Sequence, residues 1–137
     1  MRFFNNKNNN RRLQKKAELL QLQKWLNELK EESKKKPIIV EGKKDSEALE
    51  NFEIKTEQLH KPNQSLNERM EHFAAKKECI LLFDLDRSGR KLHTKIKEDL
   101  QYAGVRVNSR FRNFLLARTK LRFIEGLDTY ITNLQNY

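Results

Sequence analysis

The chain has 137 residues and a net charge of +10, with 29 Lys and Arg against 19 Asp and Glu. That length suits one domain with a single core; no run of about 18 apolar residues is present to cross a membrane, and the N-terminus lacks the apolar segment of a secretory signal. Cys79 is the only cysteine, which excludes an internal disulfide and a cysteine zinc site and favours a cytoplasmic location. The surplus of positive charge indicates a polyanionic partner such as nucleic acid.

The first 36 residues divide into a tail and a helix. Residues 1–10 are rich in Asn and have no hydrophobic periodicity, which predicts a disordered tail. Over residues 11–36, apolar side chains recur at spacings of three and four, which predicts a helix with one apolar stripe: Leu19, Leu22, Leu26 and Leu29, with Trp25 beside it. We expect this stripe to pack on the domain; a weak dimer contact through the helix, and the oligomeric state, stay open.

Apolar strands and amphipathic helices alternate over residues 37–108. The segments with the composition of buried strands are 37–41, 54–59, 79–84 and 105–108. Helical signals lie between them, including a Ser65–Glu68 capping box. Asp45 or Ser46 is expected to cap the helix after the first strand, and the helix after the third strand is expected to begin at Ser88 or Gly89. This alternation predicts an α/β fold, a small Rossmann-like domain whose four-stranded, mostly parallel sheet is flanked by helices. Residues 109–137 are expected to form a basic C-terminal helical extension.

Acidic residues follow two of the predicted strands. Glu41 closes the first strand, and Asp84 and Asp86 close the third. Ligands of open parallel sheets bind outside the carboxyl ends of the strands. Because Asp84 and Asp86 are two apart, extended backbone points them the same way, so both can offer oxygens to one hard cation. Mg²⁺, with Mn²⁺ as a substitute, suits such a site because it accepts one or two carboxylates and keeps waters for a substrate phosphate.

The segment from Asp84 to Gly89 also has other interpretations. It resembles the start of an EF-hand loop, but that loop needs a bidentate Glu at its twelfth position, where this chain has Lys95, and a helix before it. It resembles the first motif of haloacid-dehalogenase-type phosphatases too, although too few acids follow Asp86 to supply their later motifs. Two acids after a strand can also serve as helix caps or turn residues.

The combination of both acidic motifs is more specific than either one. A buried strand ending in Glu41 and Gly42, followed by a later strand ending in Asp84 and Asp86, resembles the Toprim family. That family includes bacterial-type primases, type IA and type II topoisomerases, OLD-type nucleases and the maturases that trim 5S ribosomal RNA. The resemblance is closest to small stand-alone archaeal Toprim proteins and covers about residues 20–127.

The resemblance implies a role for each acid of the two motifs. Residues 37–108 would be the Toprim core, with Glu41 as the general acid/base. Asp84 and Asp86, together with Glu41, would bind the metal. Phosphoryl transfer fits such a set, since it needs a metal to neutralise developing charge and a group to move a proton.

Basic residues flank both motifs. By the resemblance, Lys43 and Lys44 would lie near a phosphate, and Asp45 would match an acidic position whose helix-capping and catalytic roles are both open. Around the second motif, three basic residues at the start of a helix can bind backbone phosphates or form a solvated basic face: Arg87, Arg90 and Lys91.

The histidines give no motif of their own. His72 and His93 are expected at the surface of helices, and His60 can lie at the edge of the site. Cys79, at the start of a buried strand, is expected to be a small core residue rather than a nucleophile.

The leading hypothesis is a Mg²⁺-dependent phosphoryl-transfer protein acting on nucleic acid, a nuclease that hydrolyses phosphodiester bonds in RNA or DNA. The alternative is a non-catalytic nucleic-acid or ribonucleoprotein binding module with a Toprim fold. A regulatory domain that binds a nucleotide, or its metal complex, is a third hypothesis.

Overall fold

The computed structural model describes the backbone of residues 2–136 and the side chains of residues 7 and 9–136. The elements are, in chain order, α1 (Arg2–Ser33), β1 (Ile38–Val40), α2 (Lys43–Glu50), β2 (Glu57–Gln58), α3 (Leu66–Ala74), β3 (Glu78–Leu81), α4 (Arg87–Tyr102), β4 (Arg106–Asn108), α5 (Arg110–Arg118), a 3-10 helix (Ile124–Gly126) and α6 (Leu127–Gln135). None of the helices in this part of the chain is long and apolar enough to span a bilayer.

The four strands form one sheet in the order β2-β1-β3-β4. Every neighbouring pair is parallel, so the sheet is fully parallel where the sequence predicts a mostly parallel one. Ile39 of β1 stands at the centre of the register, opposite Glu57 on one side and Leu81 on the other. The α/β fold of a small Rossmann-like domain is confirmed, and β1 and β3 are its two central strands.

The core has two apolar layers, one on each face of the sheet. Alternation along β1 directs Ile38 and Val40 to the layer formed with α1, α5 and α6. Ile39 points the other way, into the layer formed with α3 and α4 around Phe73. Both faces are therefore buried, which explains the continuous apolar runs of these strands.

Helix α1 is longer than predicted, since it begins at Arg2 rather than at residue 11. Residues 2–10, predicted as a disordered tail, continue the helix; Met1 lies outside the described residues. The physical reason is that the C-terminal half is fixed in the core, where the Trp25 indole N–H donates to the Phe111 carbonyl at 2.9 Å. Once such a nucleus exists, each added residue gains one helical hydrogen bond at little cost.

The first residues of α3 and α4 show how far local sequence signals predict where a helix begins. The Ser65–Glu68 capping box is present: the Glu68 N–H donates to Ser65 Oγ at 3.1 Å, and the Ser65 N–H to Glu68 Oε1 at 3.4 Å. Helix α4, predicted to begin at Ser88 or Gly89, begins at Arg87. There Asp86 occupies the N-cap position, because its side chain can reach the free N–H groups of the first turn.

Candidate functional site

The central strands bring the predicted acids to one edge of the sheet. Glu41 directly follows β1, and Asp84 and Asp86 follow β3, its parallel neighbour. Beyond the end of β3 the Leu82 N–H still donates to the Ile39 carbonyl at 2.9 Å. This bond keeps the segments that follow β1 and β3 side by side as they leave the sheet. The acids therefore lie at the carboxyl edge, where parallel sheets bind ligands.

Asp84 is half-buried and is held by the C-terminal part of the chain. Its Oδ1 accepts a hydrogen bond from the Ile124 main-chain N–H at 2.9 Å. Burial raises the pKa of this carboxyl, and the charges of Asp86 and Glu125 add to the rise; the Ile124 hydrogen bond and the charge of Arg112 oppose it. The balance of these effects keeps the pKa of Asp84 above its ordinary value.

Asp86 caps α4. Its Oδ1 accepts from the Gly89 N–H at 2.8 Å, the interaction of an N-cap side chain with the third residue of a helix. The helix-capping role that the sequence left open for these acids is therefore present in the structure at Asp86. One oxygen of the carboxylate makes this bond, and the other lies outside it.

Arg112 of α5 holds the backbone of Phe83 and Asp84, although the sequence does not single it out as a site residue. Its side chain is only 2% exposed. Nε donates to the Phe83 carbonyl at 3.2 Å and Nη2 to the Asp84 carbonyl at 2.8 Å. Burial, followed by the charge of Arg90, lowers its pKa, while Asp84 and Asp86 raise it. The guanidinium fixes the backbone and leaves the Asp84 carboxylate to other groups.

Asp45 joins the acids from the first turn of α2. It is 9% exposed, and burial followed by the charge of Asp84 raises its pKa to about 6; Glu41 and Glu125 add to the rise. Its Oδ2 accepts from the Gly42 N–H at 3.3 Å, which opposes the shift. Gly42 is the N-cap of α2, so the prediction that Asp45 or Ser46 would occupy that position is wrong. Asp45 reaches the cap from the third position instead.

Glu125 is a member of the group that the sequence analysis missed. It lies in the 3-10 helix at 124–126, exposed, one residue after the N–H that binds Asp84. Its charge raises the pKa of both Asp84 and Asp45. No spacing rule connects it to the earlier acids, because the contact depends on how the C-terminal segment returns to the sheet edge.

Comparison with known proteins identifies the family. No protein-family model matches the chain. Over 110 residues it is 36% identical to a UPF0292 protein of Methanocaldococcus jannaschii, covering 77% of this chain and 86% of that protein. The chain belongs to the UPF0292 family.

A second member and a solved structure extend this comparison. A UPF0292 protein of Methanosarcina acetivorans is 32% identical over 127 residues, covering 86% of this chain and 85% of that protein. A solved structure of a protein from Aquifex aeolicus superposes with a TM-score of 0.69 at 37% identity, covering 77% of this chain and 96% of the other. The UPF0292 chain thus shares its fold with a solved protein over most of its length.

The acids at the sheet edge of this UPF0292 protein have the donor atoms that a magnesium ion prefers. Among the side chains that the structure describes, no three or more His, Cys, Asp or Glu converge closely enough to enclose a metal. Mg²⁺ does not require an all-protein cage, because it takes one or two carboxylates and retains waters. Asp84 and Asp86 supply such carboxylates at the sheet edge, so the chemistry of the donors fits this ion.

The predicted phosphate-binding residues lie at the first turns of two helices. In the UPF0292 chain Lys43 and Lys44 open α2 and are exposed, with the Lys43 ammonium 3.9 Å from Glu47. Basic residues on the first turns of α4 are exposed as well: Arg87, Arg90 and Lys91. Helix α4 begins directly after Asp86, and α2 begins two residues after Glu41, which places cations and helix N-termini near the carboxylates.

The histidines take three different positions. The His60 main-chain N–H donates to the Glu41 carbonyl at 3.1 Å, so this residue lies beside the first acid. His72 is exposed and its Nε2 lies 2.8 Å from Glu57, as expected of a surface residue. His93, predicted at the surface, is 8% exposed, because it shares the buried face of α4 with Ile96 and Leu100. Ser109 Oγ lies 3.2 Å from its Nε2.

Proposed function

We propose that this protein is a Mg²⁺-dependent phosphodiesterase that cleaves nucleic acid, with Glu41, Asp84 and Asp86 at its centre. One observation carries the proposal. Carboxylates from separate segments meet at the carboxyl edge of a parallel sheet, where burial and mutual repulsion raise the pKa of Asp84 and Asp45. Unpaired negative charge is costly to bury, and its presence at a ligand-binding edge favours a functional role.

We assign the metal-binding and proton-transfer roles to the residues that the Toprim resemblance implies. Asp84 and Asp86 would hold the metal through the oxygens that lie outside their bonds to Ile124 and Gly89. Magnesium bound there supplies neutralisation of the charge that develops on the phosphate. Glu41 would move the proton to or from the scissile oxygen, which requires that its carboxylate come within hydrogen-bond reach of that oxygen once the substrate is bound.

Nucleic acid is the substrate that the charge distribution favours. The net charge of +10 suits a polyanion, and the cations nearest the acids open two helices. Lys43, Lys44, Arg87, Arg90 and Lys91 would bind backbone phosphates on either side of the scissile bond. We place this activity in the cytoplasm, where Cys79 stays a reduced thiol.

A second candidate function is a nucleic-acid binding module without catalysis. A specific observation favours it, because three of the acids accept hydrogen bonds from main-chain N–H groups. Asp84 accepts from Ile124, Asp86 from Gly89 and Asp45 from Gly42, each at 3.3 Å or less. Residues with these structural duties would persist in a protein that no longer cleaved its ligand.

Cleavage of end-labelled RNA and DNA pools, with Mg²⁺, Mn²⁺ or a chelator, tests the proposal. Wild type is compared with Glu41→Gln and with the double variant Asp84→Asn/Asp86→Asn, which keeps a side-chain oxygen at each accepting position. The matched control is Glu98→Gln/Asp99→Asn, which removes the same charge from exposed positions in the second half of α4.

We expect metal-dependent products from wild type and from the control, and none from the two site variants. Products that appear equally with the site variants would refute the assignment of these acids. No products from any protein, together with nucleic-acid binding that survives the chelator and the substitutions, would establish the binding module instead.

A further inference from the structure

We propose that a single strand of nucleic acid reaches the acidic site along a groove between α4 and the segment 119–122. The groove has a volume of about 330 Å³, and its lining includes Leu85, Arg90, Lys120, Leu121 and Arg122. The inference deepens the proposed function and rests on it in taking nucleic acid as the ligand. It adds a surface from the C-terminal extension that the two acidic motifs do not contain.

The groove is continuous with the acids through the backbone. Leu85, in its floor, stands between Asp84 and Asp86, and its N–H donates to the Arg122 carbonyl at 2.8 Å. Two residues further along, the Ile124 N–H binds the Asp84 carboxylate. A strand that lies along the segment 119–122 therefore passes directly beside the carboxylates.

The wall formed by this segment is fixed before any ligand binds. Thr119 Oγ1 donates to the Leu115 carbonyl at 2.7 Å and accepts from the Leu121 N–H at 3.2 Å. The Lys120 N–H donates to the Tyr130 hydroxyl at 3.1 Å. These bonds use the main chain of residues 120 and 121, so the Lys120 side chain stays exposed to solvent. A preordered wall lowers the entropy cost of binding.

The charge of the groove is complementary to a phosphate backbone. Arg90, Lys120 and Arg122 are exposed, and within the described part of the chain none of them forms an ion pair. The lining contains no Asp or Glu. By contrast, Lys34 and Lys36, at the amino edge of the sheet, are paired with Glu side chains. The unpaired cations at the groove are thus free to neutralise phosphates.

The apolar residues of the groove favour a single strand over a duplex. Leu85 and Leu121 form a nearly buried floor, and Leu116 is 37% exposed at its side. An unpaired base can place its apolar face on the exposed Leu116 side chain while the phosphates contact the basic rim. In a duplex the base faces are covered by stacking, so only the phosphates would remain to bind.

Fluorescence anisotropy with labelled oligonucleotides in EDTA tests the inference. The ligands are single-stranded RNA, single-stranded DNA and the corresponding duplexes, each at several salt concentrations. Wild type is compared with Lys120→Glu/Arg122→Glu and with the matched control Lys35→Glu/Lys55→Glu. The control makes the same change of net charge at exposed positions at the opposite edge of the sheet. Circular dichroism and the Tm check that both variants fold.

We expect the groove variant to lose about tenfold or more in affinity for single strands, and its log–log salt dependence to become shallower by about 1.4, the contribution of two phosphates. The control should change less than about twofold. Equal losses in both variants, tighter binding of duplexes than of single strands, or no binding by wild type would overturn the inference. Because the assay is done without metal, an absence of cleavage leaves its result unaffected, so the two proposals fail separately.

Discussion

A Cβ atom on Gly89 would lie 2.1 Å from the main-chain oxygen of Asp84. No real Cβ approaches a backbone oxygen so closely, and the atoms that it meets cannot move aside as a flexible side chain would. The first turn of α4 therefore packs directly on the backbone of the acidic loop. Glycine at position 89 is required by this contact and not by an unusual backbone angle.

The first prediction concerns this contact. Gly89→Ala should lower the free energy of unfolding by about 2–3 kcal/mol or more, because either α4 or the Asp84 loop must shift. Gly42→Ala is the matched control, since a Cβ there has nothing within 4 Å and its φ of −149° is ordinary extended backbone. Thermal unfolding followed by circular dichroism measures both. Equal stability of the two variants would show that the loop yields without cost.

The second prediction concerns the cost of the charge on Asp45. Burial and the neighbouring carboxylates raise the pKa of Asp45 from its ordinary 3.8 to about 6. Its contribution to stability is therefore full below pH 3.8 and is lost as the pH rises through about 6, where the folded protein must give up a proton that it binds more tightly than the unfolded chain does.

Asp45→Asn should remove this loss. The amide oxygen can still accept from the Gly42 N–H, so the cap is kept. We expect the variant to be more stable than wild type by on the order of 2 kcal/mol at pH 8 and equal to it near pH 4. Chemical denaturation at both pH values measures the difference. A variant less stable at pH 8 would show that the carboxylate stabilises the fold and is not held at a cost.

The third prediction concerns His93. Burial lowers the pKa of this imidazole to about 4, and the charges of Arg112 and Lys97 act in the same direction. Its Nδ1 is buried without a hydrogen-bond partner among the described residues. Since the unfolded chain binds the proton more tightly, the contribution of His93 is full above pH 6.5 and is lost as the pH falls towards 4.

His93→Gln cannot take up this proton. We expect wild type to lose stability relative to the variant by about 2–3 kcal/mol between pH 7.5 and pH 4.5. Urea unfolding of both proteins across this range measures the change, and Asp45 contributes equally to each and cancels. The control His72→Gln, at an exposed site, should follow wild type. A constant difference across the range would contradict the lowered pKa.

Signals that act within a few residues of sequence were enough to predict the sheet, the order of the elements and the Ser65–Glu68 capping box. The contacts that hold the site residues in place join segments that are far apart in the sequence. Arg112 reaches the Asp84 carbonyl across 28 residues, and Ile124 reaches the Asp84 carboxylate across 40. Such contacts depend on the path of the C-terminal extension over the sheet edge. Glu125 and the buried His93 could not be assigned from local pattern for the same reason.

The last prediction uses Glu125 to test whether the acids form one cation site. Its charge raises the pKa of both Asp84 and Asp45, so Glu125→Gln should raise the Tm of the metal-free protein by relieving repulsion. A ligand that binds only the folded state raises the Tm by an amount that grows with its concentration and its affinity. Mg²⁺ should therefore stabilise wild type, and stabilise Glu125→Gln less, because one of the negative charges that attract it is gone.

Thermal shift with increasing MgCl₂, at constant ionic strength set with KCl, measures this effect. Glu98→Gln, an exposed position in the second half of α4, is the control and should keep the full Mg²⁺ shift. If Mg²⁺ stabilises all three proteins equally, the ion acts through general screening and not through these carboxylates. If the shift falls only in Glu125→Gln, the C-terminal extension supplies part of the electrostatic field that holds the cation, and the site is larger than its two sequence motifs.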